Sequence, residues 1–131
     1  MKRIFGIIGV LLVVIMGYTA FAQNKVAQDA IDVSLIQLIA TPEKYHGKRV
    51  RVEGFLRLEF EGDAIYLHRE DYEHRIAKNG LWVDVTKEMY KDRKKMDLHY
   101  VLIEGIFNAK SHGHMGLFSG EIEKINRSMP W

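Results

Sequence analysis

The chain has 131 residues, no cysteine, and 19 lysines and arginines against 17 aspartates and glutamates. Without cysteine there is no disulfide framework, lipidated-cysteine anchor, thiol catalysis or cysteine-ligated zinc. The surplus positive charges are Lys2 and Arg3, so residues 23–131 balance at 17 of each sign and have no global electrostatic reason to seek nucleic acid or an anionic membrane.

Lys2 and Arg3 are followed by an almost unbroken apolar run from Ile4 to Met16, and Ala20 and Ala22 then flank Phe21 in an A-x-A arrangement. That order predicts a secretory signal peptide over residues 1–22, cleaved between Ala22 and Gln23. The alternative is an uncleaved anchoring helix: Ile4 to Ala22 is 19 residues without a charge, near the ~20 that span a bilayer. Export of bacterial style would place the mature chain in the periplasm or the medium, with no stable membrane insertion after cleavage. About 109 residues would remain, well above the ~60 at which many domains fold alone.

Residues 23–30 are polar and read as a loose linker. Ile31, Leu35, Ile36, Leu38 and Ile39 recur at helical spacing, with Asp32 or Ser34 available as N-cap. Thr41-Pro42-Glu43 predicts a fresh helical start with proline in the first turn, and Gly47 suits a left-handed stop. Lys48 to Phe60 alternates: Val50, Val52, Leu56, Leu58 and Phe60 on one face, Arg49, Arg51, Glu53, Arg57 and Glu59 on the other. Gly54 inside that strand predicts a bulge or bend. Glu61-Gly62-Asp63 is a turn, and Ala64 to Leu67 returns to complete a hairpin.

A helical turn is expected at Glu70 to Glu73, and Asn79-Gly80 then signals a turn into a third strand, Leu81 to Val85. Thr86 to Leu98 predicts a short helix resting on Met89, Tyr90 and Met96. Tyr100 to Ala109 is the fourth strand, with a central Gly105. Ser111 to Gly120 is a glycine-rich loop, Glu121 to Ile125 the fifth strand, and residues 128–131 a tail. Two long strands each bent at a glycine are what a small closed barrel needs at its corners. The domain is therefore expected over residues 31–127, mainly β, as a five-stranded barrel with a short N-terminal helix.

These strands resemble the OB-fold barrel. More narrowly, Pro42 to Val50, Phe60-Glu61-Gly62 with Ile65-Tyr66-Leu67, Asn79 to Trp82, Gly113 to Gly116 and Gly120-Glu121-Ile122 resemble a group of small exported bacterial OB-like proteins, mostly uncharacterised and sometimes called tRNA-anticodon-like. The resemblance implies an architecture and carries no activity with it.

Several constellations could carry function. With Ile65, Leu67, Leu81, Val83 and Val85 facing inward, Tyr66 and Trp82 face outward, either as a stacking surface or packed beneath a helix or loop. A ligand-binding face of Tyr66, His68, Trp82 and Asp84, flanked by Arg51 and Arg57, is the leading expectation for a non-enzymatic module that binds a protein, a glycan or a small ligand. A second reading places a metal, zinc for instance, on His112 and His114 with a third ligand, as a carrier or a metal-dependent hydrolase. The competing view is that these histidines merely occupy a tight turn. Single-stranded nucleic acid would use the same aromatic face, against a neutral charge balance and the interleaved Glu53 and Glu59. Glu59, Glu61 and Asp63 at the hairpin tip, with Glu70, Asp71 and Glu73 after it, read as a solvated polar edge. No nucleophile elbow, phosphate-binding loop or dinucleotide fingerprint occurs.

Overall fold

A computed structural model describes residues 29–131. The expected signal peptide, and most of the expected linker, lie outside these residues. Among the described residues no helix is long and apolar enough to cross a membrane.

The chain starts with a two-residue strand, β1 (Ile31–Asp32), where the periodicity had suggested the beginning of a helix. Helix α1 (Leu35–Ala40) starts only after Ser34. The Ser34 side chain accepts the backbone N–H of Gln37, and the Gln37 side chain accepts the backbone N–H of Ser34, a reciprocal capping box. Helix α2 (Pro42–Tyr45) follows with proline in its first turn, and Gly47 beyond it takes the left-handed φ of 75°.

The long strands are β2 (Arg49–Arg57), β5 (His99–Asn108) and β6 (Glu121–Pro130), with β3 (Ala64–Tyr66) and β4 (Gly80–Val83) shorter. Between them lie α3 (Arg69–Glu73), a 3-10 turn (Ala77–Asn79), α4 (Lys87–Lys91), α5 (Arg93–Met96) and a second 3-10 turn (His114–Gly116). The sheet runs β1-β2-β3-β4-β6-β5, and β5 also pairs with β2, so five strands close into a barrel. All pairs around the barrel are antiparallel except β4 with β6. β1 adds to β2 in parallel, at Val50 and Arg51, where β3 no longer reaches because it pairs only with Phe55 to Arg57.

Alternation puts Val50, Val52, Leu56, Ile65, Leu81, Val83, Val101, Ile103, Phe107 and Ile122 inside the barrel, essentially without solvent exposure. Leu35, Leu38 and Tyr45 from α1 and α2, and Met89 and Met96 from α4 and α5, complete that core. Each fully buried aliphatic side chain contributes roughly 1.5–3 kcal/mol through apolar area removed from water.

The structure departs from the sequence expectation in further places. Phe60, expected inside, is 92 % exposed. Strand pairing stops at Arg57, and the chain then turns through Glu61 at a positive φ of 53°, so the alternation no longer governs Phe60. Tyr90, expected to pack, is exposed, while Met89 and Met96 carry the contact. The final strand runs on to Pro130, and Met129 and Pro130 pair with Leu102 and Val101, so most of the expected tail belongs to the barrel. The two glycines also differ in role. Gly105, expected as a bend, lies at a register shift against β6, which is a bulge. Gly54 sits where β2 meets α1 and β3: a Cβ there would lie 2.6 Å from the Tyr66 carbonyl oxygen and 2.8 Å from Leu35 Cδ1.

Candidate functional site

The outward residues of β2, β3 and β4 do not form a bare platform. Phe55, on the outer side of β2, is fully buried beside Ala64, Tyr66 and Phe118, with Tyr72, Ala77 and Trp82 packed against them. The cover comes from two segments: the β3–β4 connection, which carries α3, and the β5–β6 loop, which carries Phe118. Rings meet at angles typical of aromatic clusters. Tyr66 lies 5.8 Å from Tyr72 and 6.2 Å from Phe118, and Phe118 lies 5.6 Å from Trp82.

Both covering segments are pinned by their own polar contacts. Asp71 is buried and accepts hydrogen bonds from the His68 backbone N–H (2.9 Å) and the Asn79 side chain (2.8 Å). In the β5–β6 loop, His112 Nδ1 lies 2.9 Å from the Phe118 carbonyl, and Ser111 donates to Glu121. Gly113 takes a positive φ of 62°, and a Cβ there would lie 2.6 Å from the Trp82 ring, so the loop backbone rests directly on the indole.

Between these segments and the β2–β3 turn lies a cleft of about 510 Å³. Tyr66, Tyr72 and Phe118 line its interior, and Glu59, Glu61, Glu73, Arg75 and Leu117 stand around it. His114 reaches across from the β5–β6 loop to Glu61, Nε2 to Oε2, at 3.4 Å. Arg57 lies beneath: it binds Asp97 at 2.6 Å, Glu59 at 3.2 Å and the Tyr72 hydroxyl at 3.0 Å. Burial disfavours its charge, but the hydrogen bonds to Asp97 and Tyr72 and the charges of Asp97 and Glu59 outweigh burial and hold its pKa above the ordinary arginine value. The Tyr66 hydroxyl is pushed up chiefly by burial, then by the charge of Glu59. Asp63, behind the turn, is pushed up by burial first and then by Asp97 and Glu59, while a backbone hydrogen bond from Glu59 works the other way.

The residues expected to form one face divide into four groups. Tyr66 and Trp82 share a face, as the alternation predicts, but Tyr66 is 6 % exposed and Trp82 half-buried, because Phe118 covers both. His68 and Asp84 are exposed, His68 capping α3 and Asp84 lying just past β4. Arg57 supports the cleft from below. Arg51 stands six residues away along β2, roughly 20 Å at the rise of an extended strand. There it binds Glu104 at 2.6 Å and Asp32 at 3.0 Å, and Arg127 reaches the same Glu104 at 3.0 Å.

His112 and His114 point to different partners, a backbone carbonyl and Glu61. Among the described residues no group of three or more histidine, cysteine, aspartate or glutamate side chains is placed to hold a metal ion. Sequence reading missed Phe55, Tyr72 and Phe118 as site-formers. It noted Glu59, Glu61 and Glu73 only as a polar edge, and the fold brings these three onto one cleft. Comparison of the chain with protein-family models, with curated proteins and with solved structures finds no significant match in any of the three.

Proposed function

We propose that this chain is an OB-type binding module, exported as its N-terminal sequence predicts, that seats a small ligand in the cleft between the β2–β3 turn and the β5–β6 loop. The observation that carries the reading is the position of the cleft. In OB-fold barrels, ligands are held on the second and third barrel strands between the loops joining barrel strands one to two and four to five. Here β3 is the second barrel strand, and the two loops that border the cleft are the corresponding ones. The strand order with one parallel pair, β4 with β6, supports the same assignment.

The volume is within the ~300–1,000 Å³ range of small-molecule sites, and the lining combines aromatic rings with a few polar groups, as such sites do. An acidic rim disfavours polyanions, so a nucleic-acid strand is a poor fit despite the aromatic residues. Thermal-shift screening of the purified protein against small metabolites, amines and oligosaccharides tests the proposal. A ligand present at ~100 times its Kd stabilises by roughly 2.7 kcal/mol. Leu117→Arg, at an exposed position of the rim, should abolish that stabilisation while leaving the unliganded Tm within about two degrees. Stabilisation that survives the substitution would place the site elsewhere.

A further inference from the structure

Three features of the cleft bear on the charge of what it holds. The first is the arrangement of its ions. Arg57 is matched by Asp97, leaving Glu59 beside it as excess, and Glu73 has no ion-pair partner among the described residues. Glu61 meets only His114. Against these three carboxylates the rim offers Arg75, so negative charge predominates.

The second feature is the Tyr66 hydroxyl. The ring is more than nine-tenths buried and lines the cleft. Its hydroxyl makes no hydrogen bond within the described residues, yet no fully enclosed side-chain oxygen or nitrogen among them lacks a partner. The oxygen therefore opens into the cleft, where it can accept from or donate to an occupant.

The third is that the aromatic cluster already receives cations from the protein itself. The Arg57 guanidinium lies 5.6 Å from the Tyr72 centroid and that of Arg69 4.9 Å from the Phe55 centroid. Aromatic faces carry negative potential and attract ammonium or guanidinium groups within about 6 Å. Tyr66 stands at 57° to Tyr72 and 63° to Phe118, so the rings are inclined to one another and do not form a flat stack.

From these features we infer that the ligand of the cleft is a small organic cation, its ammonium head set against the Tyr66, Tyr72 and Phe118 rings and the carboxylates of Glu59, Glu61 and Glu73. The inference rests on the binding-module reading and narrows it to one ligand class. An anion would meet the carboxylates directly. A neutral sugar could stack on the rings but would leave the excess charge unused.

The test uses choline, its uncharged carbon isostere dimethylbutanol, the diamine cadaverine and the neutral trisaccharide cellotriose, titrated while aromatic resonances of Tyr66, Tyr72 and Phe118 are followed by NMR. Choline and cadaverine should shift those resonances with affinities that fall as salt is raised, and dimethylbutanol should not. The exposed pair Glu61→Gln with Glu73→Gln should weaken the cations roughly twofold to fivefold per charge removed, with Tm unchanged as evidence of folding. Equal binding of choline and dimethylbutanol, or an undiminished cation affinity in the double variant, would overturn the cation. Cellotriose shifting the same resonances while the amines do not would overturn it too, and leave the cleft as the binding site. Silence from all four probes also removes the cation, and the wider screen with Leu117→Arg then decides separately whether the cleft binds anything.

Discussion

Single side chains in this domain have consequences that pH can read. The Glu104 carboxyl is held below the usual glutamate range: the hydrogen bond from Arg51 is the largest effect, burial comes next and opposes it, and the Arg51 charge and Arg127 add to the lowering. A carboxyl with a lowered folded pKa stabilises the fold above its unfolded pKa of ~4.3, and that stability is lost as pH falls through the folded value. Glu104→Gln should therefore lower Tm at pH 7, and the gap to the parent should close as pH drops below about 4. Asp63 has the opposite sign. Its folded pKa is raised by burial and by neighbouring carboxylates, so the ionised form weighs against the fold at neutral pH. Asp63→Asn should raise Tm at pH 7 and leave it unchanged below about pH 3.5, where the aspartate is itself protonated; a lowered Tm at pH 7 would show that the charge is needed.

At the scale of elements, glycine placement and strand alternation carry much of the design. Gly54 lets β2 pass beneath α1 and against the β3 carbonyl. Gly54→Ala should cost about 1–3 kcal/mol, because the nearest atom is a backbone oxygen that cannot rotate away. Denaturant unfolding measures this directly. The barrel strands were legible in the sequence because one face of each is packed, and a two-residue period follows from that. Legibility ended where pairing ended: Phe60 continues the alternation in the sequence but lies past the last ladder pair at Arg57. Phe55 fails for the converse reason. It occupies an outward position, and Tyr72 and Tyr100, whose rings pack against it at 6.1 and 5.6 Å, come from segments distant in sequence that alternation within β2 cannot reveal. The cleft was hidden likewise. Glu59, Glu61 and Glu73 look like ordinary solvated residues until the β3–β4 connection folds back beside the β2–β3 turn.

For the molecule as a whole, the longest unbroken ladder is that of β2 with β5, eight residue pairs from Arg49 with Ile106 to Leu56 with His99. These strands are far apart in the chain, and their pairing closes the barrel. Native-state hydrogen exchange should find the amides of β2 and β5 opening only with global unfolding. Those of residues 110–117, which lie outside any ladder, should exchange through local opening at much lower free energy. Uniform protection across both regions would mean that the loop is as firmly held as the barrel, and a rigid rim of that kind would favour a preformed site over one that adapts to its ligand.

The small strand β1 has a consequence for how the protein behaves at high concentration. Closure of the barrel protects most edges, but the first part of β2 extends beyond the reach of β3, and only Ile31 and Asp32 occupy that stretch, extended by the Val33 N–H to the Arg51 carbonyl at 3.1 Å. Remove them and the backbone groups of Val50 and Arg51 become a template for another chain. A form lacking residues 31–33 should remain folded yet self-associate, its sedimentation coefficient rising with concentration where the parent's does not. Three residues ahead of the first helix would then be what keeps one barrel from adding a strand to the next.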